Sequence, residues 1–230
     1  MSGPGDLARE AAEWMVAALA EAPGPVAVAL SGGSTPKRLY QLLVTETFMR
    51  RVPWDRVHWF WGDERFVPPG DPRSNYRMVM EAMLRHAPVP AGHIHPVPNE
   101  GLSPDDAARA YGAELERFHG SDRLDGAPLF QVVLLGLGTN GHTASLFPGT
   151  KVLDERTAWA EAVTPENEPT RITLTYPALE SCRHAAFLVA GADKRDVLAR
   201  VRAGDAGLPA ARYRPQGELR WFTDSEAERG

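Results

Sequence analysis

The sequence predicts an α/β fold in which a mainly parallel sheet is covered by helices on both faces. Two observations predict it. Short apolar runs recur along the chain, wholly apolar at residues 26–30 and most strongly apolar at 130–137, as strands buried on both faces require. Between them lie stretches whose apolar residues repeat at helical spacing. Strands alternating with helices imply a parallel sheet joined by crossover helices.

Each element follows in order. Leu7, Ala11, Met15, Ala18 and Leu19 share one face of a first amphipathic helix, which Pro23-Gly24-Pro25 ends. Residues 26–30 form a buried strand, and a Gly/Ser/Thr turn follows over 31–35. Thr35 is expected to cap the next helix, with Pro36 at its first position. A second buried strand covers 57–61. Ser74 and Asn75 cap a helix over 75–86, and 94–97 is a short extended piece. Ser103 and Pro104 open a helix that runs to about His119. Residues 130–137 are the most strongly apolar strand, and a turn at 138–141 leads into a short helical stretch. Beyond it come a strand at 157–163, a helix at 175–182, a buried strand at 185–190, a helix at 192–202 and a last strand at 219–222.

Composition sets the bounds. A chain of 230 residues, 43% hydrophobic, suits one domain over 1–230 with a sizeable core. Its net charge of −5, from 25 basic and 30 acidic residues, gives no support for nucleic-acid or membrane attraction. Any anion site must be local. Cys182 is the only cysteine, which excludes an internal disulfide and a multi-cysteine metal site. The start lacks a signal-peptide pattern. No apolar run reaches the ~18 residues of a membrane span. The reading is a cytoplasmic protein.

Parallel sheets bind ligands at the carboxyl ends of their strands, so the loops after strands carry the chemistry. The first is Ser31-Gly32-Gly33-Ser34-Thr35-Pro36. Its adjacent glycines allow close backbone approach, and a helix N-terminus offers free N–H groups to a phosphate or carboxylate. A tight turn with a cap explains the same residues equally well. It is neither a Walker A loop nor a Gly-x-Gly-x-x-Gly turn. The second loop is Gly62-Asp63-Glu64-Arg65. Asp63 sits where a carboxylate can reach the crevice, and Arg65 could clamp an anion by a bidentate contact. The competing reading is an Asp–Arg pair that braces the loop 66–74.

The third loop runs from Leu135 to Gly149, dense in glycine, and places His142 at a turn after the strongest strand. A neutral imidazole there can take a proton from water near pH 7. No Gly-x-Ser-x-Gly elbow exists, so hydrolysis here should use activated water. His93 and His95 share a face of an extended segment and are possible metal ligands, but no carboxylate cluster adjoins them in sequence. Arg171 and Lys194 are further candidate anion contacts, against the plainer reading of solvated surface charges.

Taken together and in this order, these segments resemble the 6-phosphogluconolactonase family. The matching pieces are 30–39, 61–67 with Ser74-Asn75, 134–149, 171–175 and 190–194, and the run from Gly141 to Gly149 is the most specific. The resemblance implies a Rossmann-like three-layer αβα fold. It also implies hydrolysis of 6-phospho-D-glucono-1,5-lactone in the pentose phosphate pathway, without metal or organic cofactor, by a protein often monomeric. His142 would be the base, with Asp63 and Arg65 orienting sugar and water. Gly32, Gly33, Ser34, Thr35, Arg171 and Lys194 would hold the phosphate. Ser31, Asn75, Gly141, Thr143 and Ser145 complete the expected binding set.

One position departs from the family. Asn140 stands where the family usually has the aspartate of Asp-Gly-His. Asparagine keeps the turn and its hydrogen bonds but loses the charge, which leaves Asp63 as the expected catalytic carboxylate. Two rival readings are a glucosamine-6-phosphate deaminase-like isomerase and a non-catalytic sugar-phosphate sensor. The first typically has Asp-Glu-Tyr where this chain has Asp63-Glu64-Arg65, and a glutamate after its Gly-His that is missing here. The second usually accompanies a DNA-binding module, and no helix-turn-helix segment or basic patch precedes the first helix.

Overall fold

The computed structural model describes residues 3–166 and 168–228. Its main sheet has six strands, β1 (Val26–Leu30), β2 (Val57–Trp61), β4 (Ile94–His95), β5 (Phe130–Leu135), β8 (Cys182–Val189) and β9 (Glu218–Thr223), in the order β4-β2-β1-β5-β8-β9. Every pairing in it is parallel. Every residue of β1 and β5 is buried, which is possible only when both faces are covered. The longer helices supply that cover: α1 (Pro4–Ala20) and α2 (Ser34–Leu43) pack on each other, and α1 also lies against β5, β8 and β9. The fold is the expected three-layer α/β arrangement.

Strand order reverses between β1 and β5: β2 and β4 lie to one side, β8 and β9 to the other. Ligands bind outside the carboxyl ends of the strands at such a switch point. Two buried tyrosines fix the backbone there. The Tyr40 hydroxyl donates to the Ser31 carbonyl and accepts its N–H, and Tyr111 does the same at Trp61.

A second sheet has three antiparallel strands; one, Ala160–Val163, falls within the strand expected over 157–163, while the other two and the sheet itself carry no sequence pattern. It joins β3 (Asp63–Arg65), β7 (Arg171–Leu174) and β6 (Ala160–Val163) in the order β3-β7-β6. Its register sets Asp63 opposite Thr173 and Arg65 opposite Arg171. β3 is too short for a periodicity to show, and β7 is buried throughout, so neither alternates.

Helix boundaries differ in four places. Gly33, not Thr35, caps α2, its φ of 104° starting the helix at Ser34, two residues earlier than a Thr35 cap allows. Pro36 still falls in the first turn, where its missing N–H is not needed. The helix expected over 75–86 is α4 (Asn75–Val79) followed by a π-helical turn. The expected helix after His142 does not form: Ala144 has φ 47°, and Thr143 bridges Leu146 across a tight turn. The helix over 192–202 divides into a 3-10 turn and α7 (Arg195–Arg202). The other helices are α3 (Glu46–Met49), α5 (Pro104–His119), α6 (Tyr176–Glu180), α8 (Pro209–Arg212) and α9 (Ser225–Glu228). Among the described residues no helix is long and apolar enough to cross a membrane.

Candidate active site

A cleft of about 250 Å³ opens at the switch point. Ser31, Gly32 and Gly33 line it from the end of β1; Asp63 and Arg65 come from β3, beside Asn75. Gly136, Leu137, Gly138, His142 and Ala144 form the wall after β5, and Arg171 and Lys194 close it. Two glycines are set by space. A Cβ on Gly32 would lie 2.0 Å from Asn75 Oδ1, and one on Gly138 would lie 2.0 Å from His142 Nδ1. The backbone passes directly behind the Asn75 and His142 side chains.

His142 is held on three sides. Its Nδ1 is 2.6 Å from Asn140 Oδ1, which also accepts the His142 backbone N–H at 3.2 Å. Its ring stacks on Phe147, centroids 4.3 Å apart. Its carbonyl accepts the N–H of Gly138 at 2.9 Å. With Nδ1 engaged, Nε2 is the nitrogen left to meet a ligand. Burial pushes the imidazole pKa down to about 4; Arg171 and Lys194 press the same way, and Asp63 opposes them. At neutral pH the ring is therefore uncharged and can accept a proton.

Asp63 is buried at the heart of the cleft wall. Its Oδ2 accepts the Ser145 hydroxyl at 2.6 Å and lies 3.6 Å from Arg171 Nη1. The Asn75 amide donates to its carbonyl oxygen at 2.9 Å. Ser145 is in turn fixed by its own N–H, which donates to Thr173 Oγ1. Glu64, next in sequence, has a different task. Its buried carboxylate accepts the N–H groups of Asn75 and Tyr76 and the Ser74 hydroxyl, and so closes the first turn of α4.

The basic residues converge from separate elements. Arg65 and Arg171 are direct partners across the β3–β7 ladder, where like charges repel unless an anion lies near them. The Nε atoms of both are buried and carry no hydrogen bond. Arg65 is steadied by the Arg73 carbonyl, and Arg171 by Glu168 and by the face of Phe147. Lys194 sits in the 3-10 turn after β8 and pairs with Asp193 at 3.2 Å.

The cleft thus gathers His142, Asp63, Arg65, Ser31, Gly32, Gly33, Asn75, Arg171 and Lys194. Five expected contacts lie outside the lining. Ser34 and Thr35 belong to the first turn of α2. Gly141 backs onto Leu208, and its carbonyl accepts the Ala210 N–H. Thr143 and Ser145 are fully buried behind the wall. Gly136, Leu137, Gly138 and Ala144 were not singled out as contacts. The Gly-x-Gly spacing at 136–138 was a usable signal; the backbone of Ala144 left none. His93 and His95 lie far along the sheet on its β4 edge, with His58. Among the described residues no group of three or more His, Cys, Asp or Glu is arranged to hold a metal ion.

Fold and site define an α/β protein whose cleft, at the switch point of a parallel sheet, gathers an uncharged histidine, a carboxylate and three basic side chains. The profile of the family described as glucosamine-6-phosphate isomerases/6-phosphogluconolactonase matches residues 3–221. The chain belongs to that family. It is 42% identical over 207 residues to the 6-phosphogluconolactonase of Nostoc sp., covering 89% of this chain and 84% of the relative. The corresponding protein of Synechocystis sp. is 40% identical over 207 residues, with the same coverage. The solved 6-phosphogluconolactonase of Trypanosoma cruzi superposes with a TM-score of 0.87 at 30% identity, over 99% of this chain and 93% of that one.

Proposed function

We propose that this chain hydrolyses 6-phospho-D-glucono-1,5-lactone to 6-phospho-D-gluconate in the pentose phosphate pathway, as a monomeric, cytoplasmic, single-domain enzyme. The observation that carries the reading is His142. Its Nδ1 is tied to Asn140 while its ring lines a cleft shared with Arg171 and Lys194. Nε2 takes a proton from water as the water oxygen bonds to the lactone carbonyl carbon. The tetrahedral intermediate then breaks its bond to the ring oxygen, which receives the proton back from Nε2 and leaves as a hydroxyl.

Arg171 and Lys194, with the backbone of Gly32 and Gly33 just before α2, hold the phosphate. Asp63 and Arg65 orient the sugar and the water. Ser31 and Asn75 shape the same wall. Binding also tunes the base. The phosphate dianion offsets Arg171 and Lys194, two charges that depress His142, and so raises its basicity only when substrate is present. The test is acid release from fresh lactone by His142→Ala of confirmed fold: loss of a general base costs ~10²–10⁴-fold in rate, and near-normal turnover overturns the reading.

A further inference from the structure

A second concentration of positive charge lies behind the wall that carries His142. Arg156, Arg212 and Arg214 line one concavity of about 230 Å³ with Tyr176, Pro177 and Glu180 of α6. Each guanidinium is anchored from one side by backbone. Arg156 Nη1 donates to the carbonyls of Leu153 and Glu155, at 2.9 and 2.6 Å. Arg212 Nε donates to Ala206, and Arg214 Nη1 to Ala211 and Tyr213, both at 2.8 Å. The other N–H groups of the three forks carry no protein acceptor among the described residues.

None of the three forms an ion pair within 4 Å among the described residues. The nearby carboxylates are occupied elsewhere. Glu180 Oε1 accepts the Arg214 backbone N–H at 2.8 Å. Glu155 Oε1 turns back onto the N–H groups of Thr157 and Ala158. In a chain of net charge −5, three guanidinia against the single carboxylate of Glu180 around one hollow leave an excess of positive charge there.

We propose that this concavity binds a small phosphate-bearing anion, at a site separate from the catalytic cleft. Guanidinium forks match phosphate oxygens in geometry and keep their charge at any working pH. Three forks offer more donors than the two oxygens of a carboxylate can accept, which favours phosphate. The position links the two sites. Arg212 ends α8, whose Ala210 N–H holds the Gly141 carbonyl at 2.9 Å, one residue before His142. Tyr176, the floor of the hollow, donates its hydroxyl to Pro209 of the same helix.

The test is binding of inorganic phosphate, and separately of glycerol 3-phosphate, to the full chain by calorimetry. Three proteins are compared: wild type, Arg156→Ala/Arg212→Ala, and the cleft variant Arg171→Ala/Lys194→Ala. Both concavity arginines are exposed and unpaired, so their loss leaves the fold intact; Arg156→Gln/Arg212→Gln gives a second, bulk-preserving version. Phosphate binding that persists in the cleft variant and weakens at least tenfold in the concavity variants supports the site. Which probe binds decides between free phosphate and a phosphate ester. A cleft variant that binds neither probe, or concavity variants that bind as wild type does, overturns it. Should the cleft itself bind no phosphate, wild type and cleft variant behave alike, which separates failure of the catalytic reading from failure of this one.

Discussion

Asn140 Oδ1 accepts two hydrogen bonds from one residue, the backbone N–H and the ring Nδ1–H of His142, at 3.2 and 2.6 Å. An atom that receives a backbone N–H is an acceptor, so the ring nitrogen beside it must carry the hydrogen. The tautomer is thereby fixed with its lone pair on Nε2. Charge is not needed for this, which is how the site does without the family's usual aspartate. Asn140→Ala, which loses a bond worth ~1 kcal/mol, should lower kcat by about fivefold. Asn140→Asp keeps both bonds and adds a charge that favours imidazolium, so activity should survive with its acid limb moved to higher pH. A dead aspartate variant of intact fold contradicts this account.

The pH dependence should differ between free and bound enzyme. Burial, with Arg171 and Lys194, holds His142 at about 4 in the unliganded site. The acid limb of kcat/KM, which reports the free enzyme, should therefore lie near that value. The limb of kcat, which reports the complex, should lie higher because substrate phosphate offsets both cations. Steady-state rates of acid release across the acid range measure both. Coincident limbs would show that the phosphate does not reach these charges.

Ser145 should influence turnover through Asp63. Its hydroxyl, fully buried, reaches Asp63 Oδ2 at 2.6 Å and cannot meet substrate directly. Ser145→Ala should reduce kcat by roughly tenfold, the worth of one hydrogen bond to a charged group, with KM little changed. Tm should fall by only a few degrees. Ser145→Thr retains the hydroxyl and should recover part of the rate. If Ser145→Ala lowers Tm without touching kcat, the serine is a packing residue and no more.

The parallel sheet was legible because β1 is wholly apolar and β2 and β5 are each broken by a single polar residue, His58 and Gln131, a pattern that a strand buried on both faces imposes. The cleft was legible for the same reason: Gly32, Gly33 and His142 follow those strands directly. The antiparallel sheet was not. Asp63–Arg65 is three residues of charge, buried by pairing with β7 over a hundred positions away, and no local pattern encodes such a partner. Ser145 was read as a ligand contact because sequence shows a hydroxyl near His142 but not the direction it points. That direction is set by Ala144, whose positive φ replaces the expected helix with a turn.

The histidines on the β4 edge should make the fold acid-sensitive. His58 stacks on His93 with centroids 3.9 Å apart, and its Nδ1 meets His95 Nε2 at 2.9 Å. His95 Nδ1 reaches Glu114, which is also paired with Arg117 of the same helix. Burial first, then the neighbouring imidazole charges, pushes His58 down to about 4; His95 stands at about 4 from burial, His93 and Arg117. Unfolded, each titrates near ~6.5, so the unfolded chain binds protons first as pH falls. The stability that the neutral cluster contributes is complete above about pH 6.5 and drains away toward pH 4. His142 shifts in the same sense, so the measurement belongs in a His142→Ala background. There, Tm should be flat above neutrality and drop on acidification, and His58→Gln should make that drop shallower. An unchanged slope in the glutamine variant would remove the cluster from the account of acid stability.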